Sequence, residues 1–170
     1  MIPTVSIIGR HDSGKTRLIV RLIPALTARG LHVGTVKHAP HLEELDATGS
    51  DSAAHFDAGA RRVLLRGART SGLFWSHDPE PLSLEIDRLF TGCDLVLVEG
   101  GKSDPYPKIE VFRKGTDLAE GPLAGEIDVL AVVTDDRVAL PDDVEILPTR
   151  DLERIADLIE AAAFDADPDA

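Results

Sequence analysis

The chain has 170 residues, a formal net charge of −12 and a single cysteine, Cys93. This length is typical of one domain with its own hydrophobic core. The negative charge argues against non-specific nucleic-acid binding, which needs a basic face, and one cysteine excludes an internal disulfide and a cysteine-cluster metal site.

The first residues, Met1–Thr4, lack the basic region of a secretory leader. No apolar run approaches the roughly 18 residues that a membrane-spanning helix needs. We therefore expect a cytoplasmic protein that does not enter a membrane.

A phosphate-loop motif, G-x-x-x-x-G-K-[ST], follows the first apolar run, Val5–Ile8. Its residues are Gly9, Arg10, His11, Asp12, Ser13, Gly14, Lys15 and Thr16. Glycines let backbone N–H groups surround a polyphosphate, the lysine brings a cation to the β and γ phosphates, and the threonine hydroxyl can ligate Mg²⁺. Apolar residues recur at helical spacing after the loop, so a helix N-terminus faces the anion. The motif predicts a nucleotide-phosphate site.

Strands and helices alternate along the rest of the chain. We predict helices at 15–29, 51–58, 82–90 and from 149 or 151 onward, and strands at 5–8, 31–36, 61–66, 72–75, 94–98, 108–112 and 129–133. This order predicts an α/β fold of the P-loop NTPase type: a mostly parallel, doubly wound sheet with helices on both faces and an edge β-hairpin. Residues 1–164 form a single nucleotide-binding domain in this interpretation, and the acidic tail 165–170 is frayed.

An acid at the carboxyl end of a neighbouring strand commonly completes such a site by reaching Mg²⁺. The run 94–99 has Asp94 at its start and Glu99 at its end. Because ligands gather at the carboxyl ends of parallel strands, we predict Glu99, together with Thr16, as the metal-binding pair.

The polar loop that follows the second strand emerges at the same edge of the sheet. Lys37 and Asp46 are candidates, with Lys15, for contact with the γ-phosphate or its attacking water. A transition-metal site on His38 and His41 is an alternative, although no third ligand is evident.

Guanine recognition often uses an Asn-Lys-x-Asp motif, which is absent. Thr134-Asp135-Asp136 follows a late strand at a comparable place, so Asp135 or Asp136 is a candidate for accepting hydrogen bonds from the base. A plain turn is the alternative, and the purine preference stays open on chemical grounds.

Several sequence blocks together resemble the molybdopterin-guanine dinucleotide biosynthesis protein B (MobB) family. The blocks are the loop 9–16; Val33-Gly-Thr-Val-Lys-His38 with His41; Asp46 leading to Gly49-Ser-Asp-Ser52, His55 and Ala58-Gly-Ala60; Asp94-Leu-Val-Leu-Val-Glu-Gly100; and Pro107-Lys-Ile-Glu-Val-Phe-Arg113. The family usually has Gly-Phe-Lys after the acidic strand end, whereas this chain has Gly100-Gly101-Lys102.

The resemblance implies a GTP-binding protein with weak Mg²⁺-dependent hydrolysis that assists the enzyme attaching GMP to molybdopterin, with molybdopterin itself a possible ligand. It also implies a homodimer, for which we expect the segment 61–76, with Phe74 and Trp75, to supply the edge. Two alternatives are a P-loop small-molecule kinase with Asp46 as base and a metal-delivery GTPase.

Overall fold

The computed structural model describes residues 1–39, 49–75, 80–116 and 121–164. The elements in chain order are β1 (Thr4–Ile8), α1 (Lys15–Ala28), β2 (Val33–Lys37), α2 (Asp51–Asp57), β3 (Arg62–Arg66), β4 (Ser71–Trp75), α3 (Leu82–Leu89), β5 (Leu95–Glu99), β6 (Lys108–Val111), β7 (Ala131–Val133), β8 (Glu145–Leu147) and α4 (Leu152–Phe164). None of the described helices is long and apolar enough to cross a membrane.

The chain divides into two compact units, Met1–His38 with Leu82–Ala170, and Ala39–Pro81. The larger unit contains a six-stranded sheet in the order β2-β5-β1-β6-β7-β8. Every neighbouring pair in it is parallel. The predicted parallel α/β fold is therefore confirmed.

The sheet is covered on both faces, as predicted. One face packs against α1 and α4, and this core includes Leu22, Leu97 and Ile159, all fully buried. The opposite face packs against α3 through Ile86 and, beside it, against the segment around Leu123 and Val129. Burial on both faces explains why β1 and β5 are continuous apolar runs without polar alternation.

Strand β8 is the one described strand that is not among the predicted strands. It has three residues and pairs with β7 at the sheet edge. A run this short carries almost no periodicity, so sequence alone does not separate it from a loop.

The smaller unit contains α2 and the predicted hairpin. Strands β3 and β4 pair antiparallel, with Leu64 opposite Leu73 and Val63 opposite Phe74. The hairpin is confirmed, and it forms a two-stranded sheet of its own instead of extending the six-stranded sheet. Ser50 begins α2 as an N-cap, because its hydroxyl oxygen accepts from the Ala53 amide.

Candidate functional site

The loop 9–14 connects the end of β1 to the start of α1, which is the arrangement that the motif predicts. Gly9 has φ 149° and lies so close to β6 that a Cβ there would collide with the Val111 carbonyl oxygen. Gly14 has φ 103°, a conformation that side-chain-bearing residues rarely adopt. The two motif glycines are therefore required by backbone geometry, one by a close approach and both by φ.

Lys15 folds back over the loop that precedes it. Its Nζ donates to the Gly9 carbonyl at 3.2 Å and to the Arg10 carbonyl at 2.5 Å. Partial burial lowers the pKa of Lys15, and the nearby Glu99 carboxylate opposes that shift. The ammonium group is thus held, partly desolvated, at the point where the motif requires a cation.

Thr16 and Glu99, predicted as a pair, are in direct contact. The Thr16 hydroxyl donates to Glu99 Oε1 at 2.7 Å. Glu99 ends β5, which lies directly beside β1, so the strand order explains the contact between residues 83 positions apart. A hydroxyl oxygen and a carboxylate oxygen therefore lie together beside the start of α1. Oxygen atoms are the ligands that Mg²⁺ prefers.

Lys37 reaches the same carboxylate from the other side. It ends β2 in register with Glu99, and its Nζ lies 3.6 Å from Glu99 Oε1. The structure therefore brings together the candidates from three neighbouring strand ends: Lys15, Thr16, Lys37 and Glu99. Asp46 and His41, predicted on the next loop, lie outside the described residues.

Asp94, interpreted from sequence as a strand-start residue, lies at the opposite edge of the sheet. Its carboxylate accepts from the His32 amide at 2.7 Å and lies 2.8 Å from His32 Nδ1. The His32 backbone hydrogen bond lowers the pKa of Asp94. Its role is to hold the entry to β2 beside β5.

Asp135 follows the carboxyl end of β7, at the same edge of the sheet as the phosphate loop. In the sheet, β6 separates β7 from β1. Its oxygens accept from the Thr149 amide at 3.1 Å and from the Thr149 hydroxyl at 2.5 Å, and these bonds lower its pKa. Arg21 of α1 donates to the Thr149 carbonyl at 2.9 Å. Asp136 instead accepts from the Lys114 amide, so only Asp135 is tied to the helix that follows the phosphate loop.

The two unusual residues inside the phosphate loop differ in their surroundings. The exposed His11 ring lies 3.0 Å from the carboxylate of its neighbour Asp12, which has φ 54°. Arg10 is half-buried and donates from Nε to the Gly121 carbonyl at 3.3 Å. Arg10 is therefore attached to a second segment of the protein.

Two charged residues on β6, Lys108 and Glu110, were not among the predicted site residues. Lys108 donates from Nζ to the carbonyls of Asp104 and Tyr106, at 2.6 and 3.0 Å, which fixes the loop after β5. The fully buried Glu110 accepts from the amides of Leu123 and Ala124. Their charges within an otherwise apolar strand are the feature of the sequence that marks them.

The loop after β5 contains Gly101, at the position where the sequence pattern described above usually has phenylalanine. Gly101 has φ 70°, and a Cβ there would collide with the Asp104 carboxylate. An aromatic side chain at this position would require a different placement of Asp104.

The protein has a P-loop NTPase-like fold. The features that define this class are the parallel sheet, the glycine-containing loop between β1 and α1, and the lysine and threonine at the start of α1. The family described as "Molybdopterin guanine dinucleotide synthesis protein B", MobB, matches residues 4–135. The chain belongs to this family, which confirms the resemblance inferred from the sequence blocks.

Named relatives and solved structures agree with this assignment. The chain is 36% identical to the molybdopterin-guanine dinucleotide biosynthesis adapter protein of Escherichia coli K12, over 94% of this chain and 92% of that protein. It is 39% identical to the protein of the same name from Haemophilus influenzae, over 94% and 88%.

The structural comparison gives the same result. A crystal structure of molybdopterin-guanine biosynthesis protein B superposes with a TM-score of 0.72 at 29% identity, covering 93% of this chain and 98% of that one. Bacillus subtilis MobB superposes with a TM-score of 0.73 at 25% identity, covering 95% and 98%.

Proposed function

We propose that this chain is a GTP-binding adapter protein in the biosynthesis of molybdopterin guanine dinucleotide. The observation that carries the nucleotide part is the convergence of Lys15, Thr16 and Glu99 at the loop between β1 and α1. The adapter part is supported by family membership and by the names of the E. coli and H. influenzae relatives.

In this proposal the residues 9–16 bind the phosphates. Backbone amides of Gly9, Arg10, His11, Asp12, Ser13 and Gly14 surround them, and Lys15 exchanges its bonds to the loop carbonyls for bonds to the β and γ phosphates. The exchange is favourable because a partly desolvated ammonium gains an anionic partner in place of two neutral carbonyls.

Thr16 and Glu99 would hold Mg²⁺, which when bound neutralises charge on the β and γ phosphates. Lys37, beside Glu99, would contact the γ-phosphate, and Asp46 would act with it as a sensor of that group. We expect hydrolysis to be slow, as the family resemblance implies. Slow turnover suits a switch better than a catalyst.

Asp135 is our proposed reader of guanine. A carboxylate offers about four acceptor positions, and Thr149 uses two of them. The remaining positions would accept from the base N1–H and its amino group. Thr149 keeps the carboxylate in one orientation, and Arg21 ties that arrangement to α1.

The proposed partner is the guanylyltransferase-type enzyme of the pathway, and molybdopterin is a possible further ligand. We expect the chain to act as a homodimer in the cytoplasm, where GTP is available, and without nucleic acid because its net charge is −12.

The nucleotide preference tests this proposal. Titration calorimetry in the presence of Mg²⁺ should give a micromolar Kd for GTP and at least about tenfold weaker binding of ATP, a difference of about 1.4 kcal/mol. Equal or tighter binding of ATP would refute guanine recognition. Addition of the chain to the guanylyltransferase reaction should raise product yield, and no effect on yield or on enzyme binding would refute the adapter role.

A further inference from the structure

The buried carboxylate of Glu110 binds a segment that is also hydrogen-bonded to the phosphate loop. Glu110 is fully buried in β6, at the centre of the sheet. Its Oε1 accepts from the Leu123 amide at 2.7 Å and its Oε2 from the Ala124 amide at 2.9 Å. Burying a carboxylate is costly unless such hydrogen bonds replace water, so a purely space-filling role would be served better by an apolar residue.

The segment held by Glu110, residues 121–124, is anchored by Leu123 and by the turn that follows it. Leu123 is 4% exposed and packs with Ile8 and Val132 under the sheet. The amides of Glu126 and Ile127 both donate to the Leu123 carbonyl, which closes a tight turn. The position of residues 121–124 is therefore set by the bonds to Glu110 and by the burial of Leu123.

The same segment contacts the phosphate loop at its first residue. The Gly121 carbonyl accepts from Arg10 Nε at 3.3 Å. An arginine has five N–H donors, so this bond leaves four for another ligand. Arg10 also supplies, through its own carbonyl, the 2.5 Å bond to Lys15 Nζ.

We propose that Glu110 is a positioning residue for phosphate binding, acting through residues 121–124 on Arg10. Arg10 is then a second loop cation, beside Lys15, that binds the polyphosphate. Glu110 touches no ligand itself. The inference rests on the proposed nucleotide binding and adds a residue distant from the loop in sequence.

A double-mutant cycle tests the relay. Glu110→Gln keeps the shape of the side chain, but its amide group cannot accept from a backbone N–H, so one of the two bonds is lost. Arg10→Gln removes the cation. Each variant should weaken Mg²⁺-GTP binding by about tenfold, as measured by calorimetry. The double variant should bind no more weakly than Arg10→Gln alone, because Glu110 acts through Arg10.

A structural role would give a different pattern. If Glu110 only stabilises the fold, Glu110→Gln should weaken GTP binding by the same factor with and without Arg10, and the relay is refuted. Unchanged affinity in Glu110→Gln refutes it as well. If Glu110→Gln does not fold, Glu110→Asp, which keeps both acceptor oxygens but shifts them, enters the same cycle with the same expected non-additivity.

Thr4→Val is the matched control. Thr4 is a buried polar residue at the opposite end of β1, bonded to the Ile2 carbonyl, and its substitution should leave the GTP Kd unchanged. Failure of the wild-type chain to bind GTP would refute the proposed function. Wild-type binding with an additive cycle would refute the relay alone.

Discussion

At the scale of single residues, the site was predictable where a motif and a topological rule combine. The motif gave Lys15 and Thr16, and the rule that ligands gather at the carboxyl ends of strands gave Glu99 and Lys37. The structure brings all four together, and their roles stay predictions. Glu110 was not predictable in the same way, because its partners are backbone amides that no side-chain pattern identifies.

Asp135 carries the residue-scale prediction. Asp135→Asn should weaken GTP binding by about 10- to 100-fold, since hydrogen bonds to a charged group contribute about 1.5–3 kcal/mol and an amide nitrogen cannot accept from the base. Calorimetry with GTP and xanthosine triphosphate measures the effect, because the xanthine 2-oxo group can accept from the new amide. The variant should prefer xanthosine triphosphate. Unaltered GTP affinity would show that the Asp135–Thr149 contact is only a turn.

At the scale of elements, periodicity predicted most helices and strands to within about two residues. The assignment of a strand to a sheet was harder. The strand-like residues on both sides of the turn at 67–70 indicate the β3–β4 hairpin. No feature of those residues indicates that the hairpin forms a sheet separate from the six-stranded sheet. Sheet membership depends on long-range pairing, which local propensity does not encode.

The hairpin carries the element-scale prediction, because two-stranded sheets are marginal alone and two leucines at the centre of one face of this hairpin are exposed. Leu64 and Leu73 are paired across the strands, at 61% and 39% exposed. We propose that a second copy of the chain covers this face. The wild type should have twice the chain mass by light scattering, and Leu64→Asp should shift it to the monomer.

Leu84→Asp is the matched control for this substitution. Leu84 lies on α3, in the other compact unit, and is 55% exposed, so the same change there should leave the dimer intact. A monomeric wild type, or a dimer that persists in Leu64→Asp, would contradict the proposed interface.

At the scale of the whole molecule, a chain with net charge −12 is proposed to bind a polyanion. Local structure resolves this conflict. A phosphate bound at the loop lies against the N-terminus of α1 and the Lys15 ammonium, and the field of these groups at the phosphate outweighs that of the more distant surface carboxylates. The phosphate-loop motif and the order of the strands and helices were sufficient to predict the fold class, since the rules of chain connection leave few topologies for a mostly parallel sheet.

The most direct test of the phosphate-loop assignment is Mg²⁺-GTP calorimetry on the wild type and on Lys15→Met, with thermal unfolding as the check on folding. Methionine keeps much of the length of the side chain and removes the charge. We predict that the variant folds and that its affinity falls by about 100-fold or more, which corresponds to about 2.7 kcal/mol. A folded Lys15→Met chain that binds GTP as tightly as the wild type would contradict the assignment of residues 9–16 as the nucleotide site.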